Sequence, residues 1–118
     1  MIKTGVIRIY YDKKETILEK EYFQINNKKE GIFKSYYNNG ELEKEINYID
    51  DKKQGIYKSY WENGQLKEEI NYIDNKRQGI FKSYYKCGLL NEEVNYIDNK
   101  KEGIYKKYYY GELEIEVN

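Results

Sequence analysis

Apolar and polar side chains alternate with a period of two in two neighbouring stretches, GIFKSYY at 31–37 and LEKEINYI at 42–49. That period is the strand pattern, because successive side chains of a strand point to opposite faces. Asn39-Gly40 lies between the two stretches, and Asn63-Gly64 lies between the next pair. Asn-Gly is a strong hairpin signal, since a type I′ turn needs positive φ at both central residues. With Asn39-Gly40 as a two-residue loop, the predicted register sets Tyr37 opposite Leu42, Ser35 opposite Lys44, Phe33 opposite Ile46 and Gly31 opposite Tyr48. These residues share one mostly apolar face. On the other face Tyr36 meets Glu43, Lys34 meets Glu45 and Ile32 meets Asn47.

The pattern recurs. Gly31, Gly55, Gly79 and Gly103 stand 24 residues apart, and each opens the same phrase. Gly5 opens a diverged copy of 26 residues, and the last copy runs to Asn118. A fixed period of this size marks a repeat architecture. The chain reads as a single domain, 1–118, with repeats at 5–30, 31–54, 55–78, 79–102 and 103–118. The same register predicts Trp61/Leu66, Tyr57/Ile70 and Gly55/Tyr72, with Lys58/Glu69 behind, then Tyr85/Leu90, Phe81/Val94 and Gly79/Tyr96, with Lys82/Glu93 behind. The first copy has a longer loop and gives Tyr11/Leu18, Ile7/Tyr22 and Arg8/Glu21. A three-residue loop, Tyr110-Gly111-Glu112, gives the last copy Tyr109/Leu113, Tyr105/Val117 and Lys106/Glu116.

The joints between copies, such as IDDKKQG, consist of turn formers. Across them Tyr48 is expected opposite Gly55, and Ile46 opposite Tyr57. Each joint tyrosine then lies across two glycines and covers bare backbone, the aromatic-rescue arrangement. The predicted fold is all-β: an elongated, curved, single-layer antiparallel meander of about five 24-residue hairpin repeats, about ten strands, with no helix. Strands about 4.8 Å apart make a ribbon roughly 45 Å long. Ser35, Ser59 and Ser83 form a row of small residues between two bulky rows, which lets the sheet curl into a gutter.

Phrases such as GIYKSYWENGQLKEEI resemble the MORN repeat (membrane occupation and recognition nexus), in the short variant common in bacterial proteins. The resemblance spans nearly the whole chain. Departures are Asp50-Asp51, Asp74-Asn75 and Asp98-Asn99 in the second turn, where the family has Gly, and Cys87 in place of a turn Asn. The resemblance implies an extended curved sheet used for binding. Roles it suggests are protein scaffold, homodimerisation module, lipid contact, or an antitoxin or immunity-type protein that masks a toxin.

Composition narrows the chemistry. The charges balance, 21 basic against 21 acidic, which gives no general pull toward nucleic acid or an anionic membrane. There is no His and one Cys, so neither an internal disulfide nor a Cys/His zinc site is expected. Ser35, Ser59 and Ser83 have no His to activate them, and Cys87 is a lone thiol. Glu68-Glu69 and Glu92-Glu93 point to opposite faces and form no carboxylate dyad. Three or four oxygens per Asp-Asn joint fall short of what calcium takes. No catalytic residue, metal site or cofactor is expected. The start of the chain has no apolar run of signal-peptide length, so the expected location is cytoplasmic, with a mature secreted fragment as the alternative.

The functional reading is therefore non-enzymatic: an interaction module that binds a partner protein or itself through an aromatic-lined face. Candidate contact residues are Phe33, Tyr37, Leu42, Tyr57, Trp61, Leu66, Phe81, Tyr85 and Leu90, with Tyr37, Trp61 and Tyr85 as central anchors. Lys52, Lys53, Lys76, Arg77, Lys100 and Lys101 would form a basic edge. That edge is the route to the lipid-binding alternative. Nucleic acid is disfavoured, because the charges balance and the strand lysines Lys34, Lys58 and Lys82 each face a glutamate.

Overall fold

The computed structural model describes residues 3–117, and every regular element in it is a strand. In chain order they are β1 (Gly5–Tyr10), β2 (Leu18–Ile25), β3 (Lys28–Lys29), β4 (Gly31–Tyr36), β5 (Leu42–Ile49), β6 (Lys52–Lys53), β7 (Gly55–Tyr60), β8 (Leu66–Ile73), β9 (Lys76–Arg77), β10 (Gly79–Tyr84), β11 (Leu90–Ile97), β12 (Lys100–Tyr109) and β13 (Glu112–Val117). They form one open antiparallel sheet in the order β1-β2-β4-β5-β7-β8-β10-β11-β12-β13, with the two-residue pieces β3, β6 and β9 pairing at its margin. This is the expected ten-strand meander. The sheet extends 50 × 32 × 14 Å. Phe33 pairs with Ile46, Tyr57 with Ile70, Phe81 with Val94 and Tyr105 with Val117, so the central register holds in every 24-residue copy.

The ends of the hairpins differ from expectation. Asn39-Gly40 does not form a type I′ turn. The Tyr37 N–H donates to the Glu41 carbonyl at 2.8 Å, and the Gly40 N–H donates to the Tyr37 carbonyl at 3.0 Å. The loop is thus Asn38-Asn39-Gly40, with positive φ (90°) only at Gly40. A three-residue loop closed by a left-handed Gly is the next most common hairpin connection. Glu43 then stands as the extra residue of a β-bulge, between the pairs Ser35/Lys44 and Tyr36/Leu42. Loop and bulge each shift the register by one residue, and the shifts cancel. Every hairpin carries such a bulge. Consequently Leu42, Leu66 and Leu90 pair with Tyr36, Tyr60 and Tyr84, not with Tyr37, Trp61 and Tyr85. The outer hairpins follow suit. Tyr10 takes Leu18, Tyr108 takes Leu113, and the last loop has two residues, Tyr110 and Gly111, both at positive φ.

The type I′ geometry lies instead at the joints, where Asp50 (φ 53°) and Asp51 (φ 70°) are both left-handed. Tyr48 therefore stands opposite Lys53, not Gly55. The Gln54 N–H still donates to the Asn47 carbonyl at 2.9 Å, and pairing resumes only at Glu45/Lys58. Two residues, Gly55 and Ile56, are surplus on that strand, and Gly55 absorbs the kink at φ 106°. There is open space where a Cβ would stand on Gly31, so no tyrosine ring covers it. The periodic glycine is thus a conformational requirement, and the aromatic-rescue reading is replaced. Gly55→Ala is expected to lower unfolding stability by about 1–2 kcal/mol, the cost of a left-handed non-glycine residue. Urea denaturation followed by circular dichroism measures it.

Candidate functional site

One face of the sheet carries the aromatic residues. Ile46, Ile70 and Val94 are buried on it, with Tyr72 and Tyr96, while Phe33, Tyr48, Tyr57, Phe81 and Tyr105 pack against them and remain partly exposed. Among the described residues no second layer covers this face. Rings cover rings instead: Phe33 and Tyr48 meet edge to face at 6.1 Å, Tyr57 and Tyr72 at 6.3 Å, and Phe81 and Tyr96 at 6.3 Å. Edge-to-face contacts at such distances suit the ring quadrupoles.

The basic joint residues divide by strand alternation. Lys53 sits over Tyr72 at 5.0 Å, Arg77 over Tyr96 at 5.2 Å and Lys101 over Tyr105 at 5.8 Å, all on the aromatic face. Arg77 also donates to the hydroxyls of Tyr72 and Tyr96. Lys52 turns the other way and reaches Asp74 at 3.5 Å. Lys76 and Lys100, equivalent to Lys52, are exposed. The six residues thus do not line one common edge.

Tyr37, Trp61 and Tyr85 lie at the turn end of the same face and are only partly exposed. Each reaches the following hairpin. The Tyr37 hydroxyl donates to the Tyr60 carbonyl at 2.6 Å, the Trp61 indole N–H to the Tyr84 carbonyl at 3.0 Å, and the Tyr85 hydroxyl to the Tyr108 carbonyl at 2.7 Å. Tyr11 makes the same bond to Tyr36. Pairing between hairpins stops one residue earlier, at Lys44/Ser59 and its equivalents, and leaves these carbonyls without a ladder partner. The ring supplies the missing donor. Tyr37, Trp61, Glu43, Lys67 and Lys86 line a groove of about 480 Å³, with Lys67 4.7 Å and Lys86 5.4 Å from the Trp61 ring. Leu42, Leu66 and Leu90 lie on the opposite face with Tyr36, Tyr60 and Tyr84, whose side is marked by the Tyr60 hydroxyl donating to Glu45. The nine candidate contact residues therefore split between two faces.

The reverse face holds residues that the pattern reading passed over. Ile32, Ile56 and Ile80 are 53–55 % exposed, and Ile49, Ile73 and Ile97 form a parallel row of similar exposure. Their signal is the Gly-Ile that opens the copies at 31, 55 and 79 and the Tyr-Ile before each of their joints.

The joint turns are also locked to one another. Asp51 donates its N–H to the Lys29 carbonyl at 2.9 Å and accepts the Lys29 N–H on its carboxylate at 3.1 Å. Asn75 is joined to Lys53 in the same way, and Asn99 to Arg77, each accepting on its side-chain amide oxygen. Glu30, Gln54 and Gln78 accept the N–H groups of Asp50, Asp74 and Asp98.

The family model of the MORN repeat variant matches residues 29–50 and 53–74. These two segments are MORN repeats. Comparison with curated proteins returns no match. Each MORN match frames one hairpin with its flanking joint, and the fold continues the same unit through β10 and β11. MORN repeats generally serve as protein- or membrane-interaction modules and are not an enzyme family.

Trp61→Phe keeps the ring and removes the donor to Tyr84. It is expected to cost about 1 kcal/mol in chemical denaturation, with the strand signature of the circular dichroism spectrum retained. The phenols give a second check. Burial raises the pKa of Tyr37, Tyr48 and Tyr57 above the usual 10.0. Tyr105 is pushed up to about 12, first by its hydrogen bond to Glu92 and then by burial. The unfolded phenols release their protons first, so the stability present below pH 10 falls as pH rises toward about 12. Alkaline titration should show phenolate absorbance and loss of strand signal rising together in that window.

Proposed function

We propose that the chain is a non-enzymatic interaction module that holds a partner protein, or a second copy of itself, against its aromatic face. The observation that carries this reading is the row Phe33, Tyr57, Phe81 and Tyr105, partly exposed over a buried floor of Ile46, Ile70 and Val94, with no layer above among the described residues. Large exposed apolar areas on a folded chain mark interaction surfaces, and buried aromatic anchors dominate interface energy. The lysines over the rings present cations at the rim, where a polar margin around an aromatic centre is the usual interface anatomy.

Neighbouring residues on one strand test the choice of face. Tyr57→Lys places a charge on the aromatic face, and Ile56→Lys places one on the reverse face. Association is measured by co-purification from the source cell and by light scattering of the isolated chain, on variants whose circular dichroism matches the parent. Loss with Tyr57→Lys and retention with Ile56→Lys is the expected result. The opposite outcome would move the binding surface to the isoleucine rows.

A further inference from the structure

One row of the aromatic face departs from the repeat. Read from β1 to β13 by strand pairing, it runs Ile9, Lys20, Ser35, Lys44, Ser59, Glu68, Ser83, Glu92, Lys107 and Ile115. Ser35, Ser59 and Ser83 are buried, and the charged residues between them are half-buried. Equivalent positions of four successive hairpins therefore read Lys, Lys, Glu, Glu. The adjacent bulge positions read in the opposite sense: Glu19, Glu43, Lys67, Asn91. Among the described residues Lys20 and Lys44 make no ion pair. With Lys29 and Lys53 they surround an aromatic-walled hollow of about 170 Å³ that has no carboxylate in its lining. Glu68 and Glu92 occupy the other half, where Glu92 accepts from the Tyr105 hydroxyl at 2.7 Å.

The four charged positions from β2 to β11, positive on one side of Ser59 and negative on the other, are complementary to their own reversal, which sets Lys107 on β12 against the apolar Ile9. We infer that the aromatic face takes a second copy of this chain, packed face to face about a two-fold axis that runs along β7 through Ser59. This rests on the reading of the aromatic face as the binding surface. The reversal sets Lys20 against Glu92 of the second copy and Lys44 against Glu68. It also brings the bulge residue Glu43 to Lys67. Ser59 meets its own equivalent on the axis, and a small residue there lets the two sheets approach. The other two-fold arrangement, with the axis across the strands, sets each hairpin over its own copy and brings Lys20 to Lys20 and Glu92 to Glu92. The charge row selects the first. Lys29, Lys53, Arg77 and Lys101 then meet their counterparts along one margin. Each is held over rings of its own chain at that margin. A sheet of 50 × 32 Å exceeds the footprint of about 800 Å² per partner that a standard interface needs.

Charge exchange tests the arrangement. The parent chain is expected to show twice its chain mass in light scattering at low salt and to dissociate as salt rises, since the pairing is ionic. The double variants Lys20→Glu/Lys44→Glu and Glu68→Lys/Glu92→Lys make these four positions all acidic and all basic. Each is expected to self-associate at least tenfold more weakly, and an equimolar mixture of the two is expected to restore the dimer. A parent chain that stays monomeric at all concentrations overturns the inference, as does self-association that survives in both double variants. Should a double variant lose its strand spectrum, the parent decides alone: a dimer whose dissociation constant ignores salt overturns it. The comparison of Tyr57→Lys with Ile56→Lys against other proteins stands apart, so a monomer would sink the dimer and leave the aromatic-face reading to its own result.

Discussion

Hydrogen bonds that pass from one hairpin to the next hold this molecule together. A lone hairpin is marginal in water, and the described residues form a single layer. Each hairpin instead completes the backbone of its neighbour at three places. Two residue pairs, such as Lys44/Ser59 and Glu45/Lys58, bridge the middle of the first three junctions, and three bridge the last. A ring donor from Tyr37, Trp61 or Tyr85 satisfies a carbonyl at one end, and an Asp or Asn clamp ties the joints at the other. The chain is thus a one-dimensional stack with nearest-neighbour coupling, as repeat proteins are.

That coupling shapes both faces. Because Tyr37, Trp61 and Tyr85 are spent on inter-repeat bonds, the rings left to meet another molecule are those of the next row inward: Phe33, Tyr57, Phe81 and Tyr105. The cations of the joints fold over them, so the aromatic face presents rings and charge together. The reverse face separates the two, with Arg8/Glu21 and Lys58/Glu69 ion pairs alongside half-exposed isoleucine rows. A surface whose charges alternate within each hairpin has no polarity along its length. The Lys20-Lys44-Glu68-Glu92 row has one, and the bulge positions Glu19, Glu43 and Lys67 beside it carry the opposite sense.

The central register was legible because four nearly identical copies had to obey one pleat, and any slip would have scattered Phe33, Ile46, Tyr57 and Ile70 over both faces. The turns were not. Asn-Gly fits a type I′ loop and a three-residue loop equally well, and only the backbone reveals the compensating bulge at Glu43. With the bulge unseen, Leu42 was carried to the wrong face. The joints were misread for a related reason: a strand period cannot announce the surplus pair Gly55-Ile56. Two signals were readable and missed. Positions 11, 37, 61 and 85 are Tyr, Tyr, Trp and Tyr, each with a polar hydrogen on its ring, whereas 33, 57, 81 and 105 accept Phe. Aligned copies also show the change from Lys to Glu at 20, 44, 68 and 92.

β1 and β13 lie on opposite edges of the sheet. Antiparallel ladder bonds run perpendicular to the strands. A pull applied to the two ends of the described chain therefore acts along the bonds rather than across them, and loads one rung at a time. The ribbon is built to peel under tension, hairpin by hairpin, and to zip closed again from any hairpin left intact.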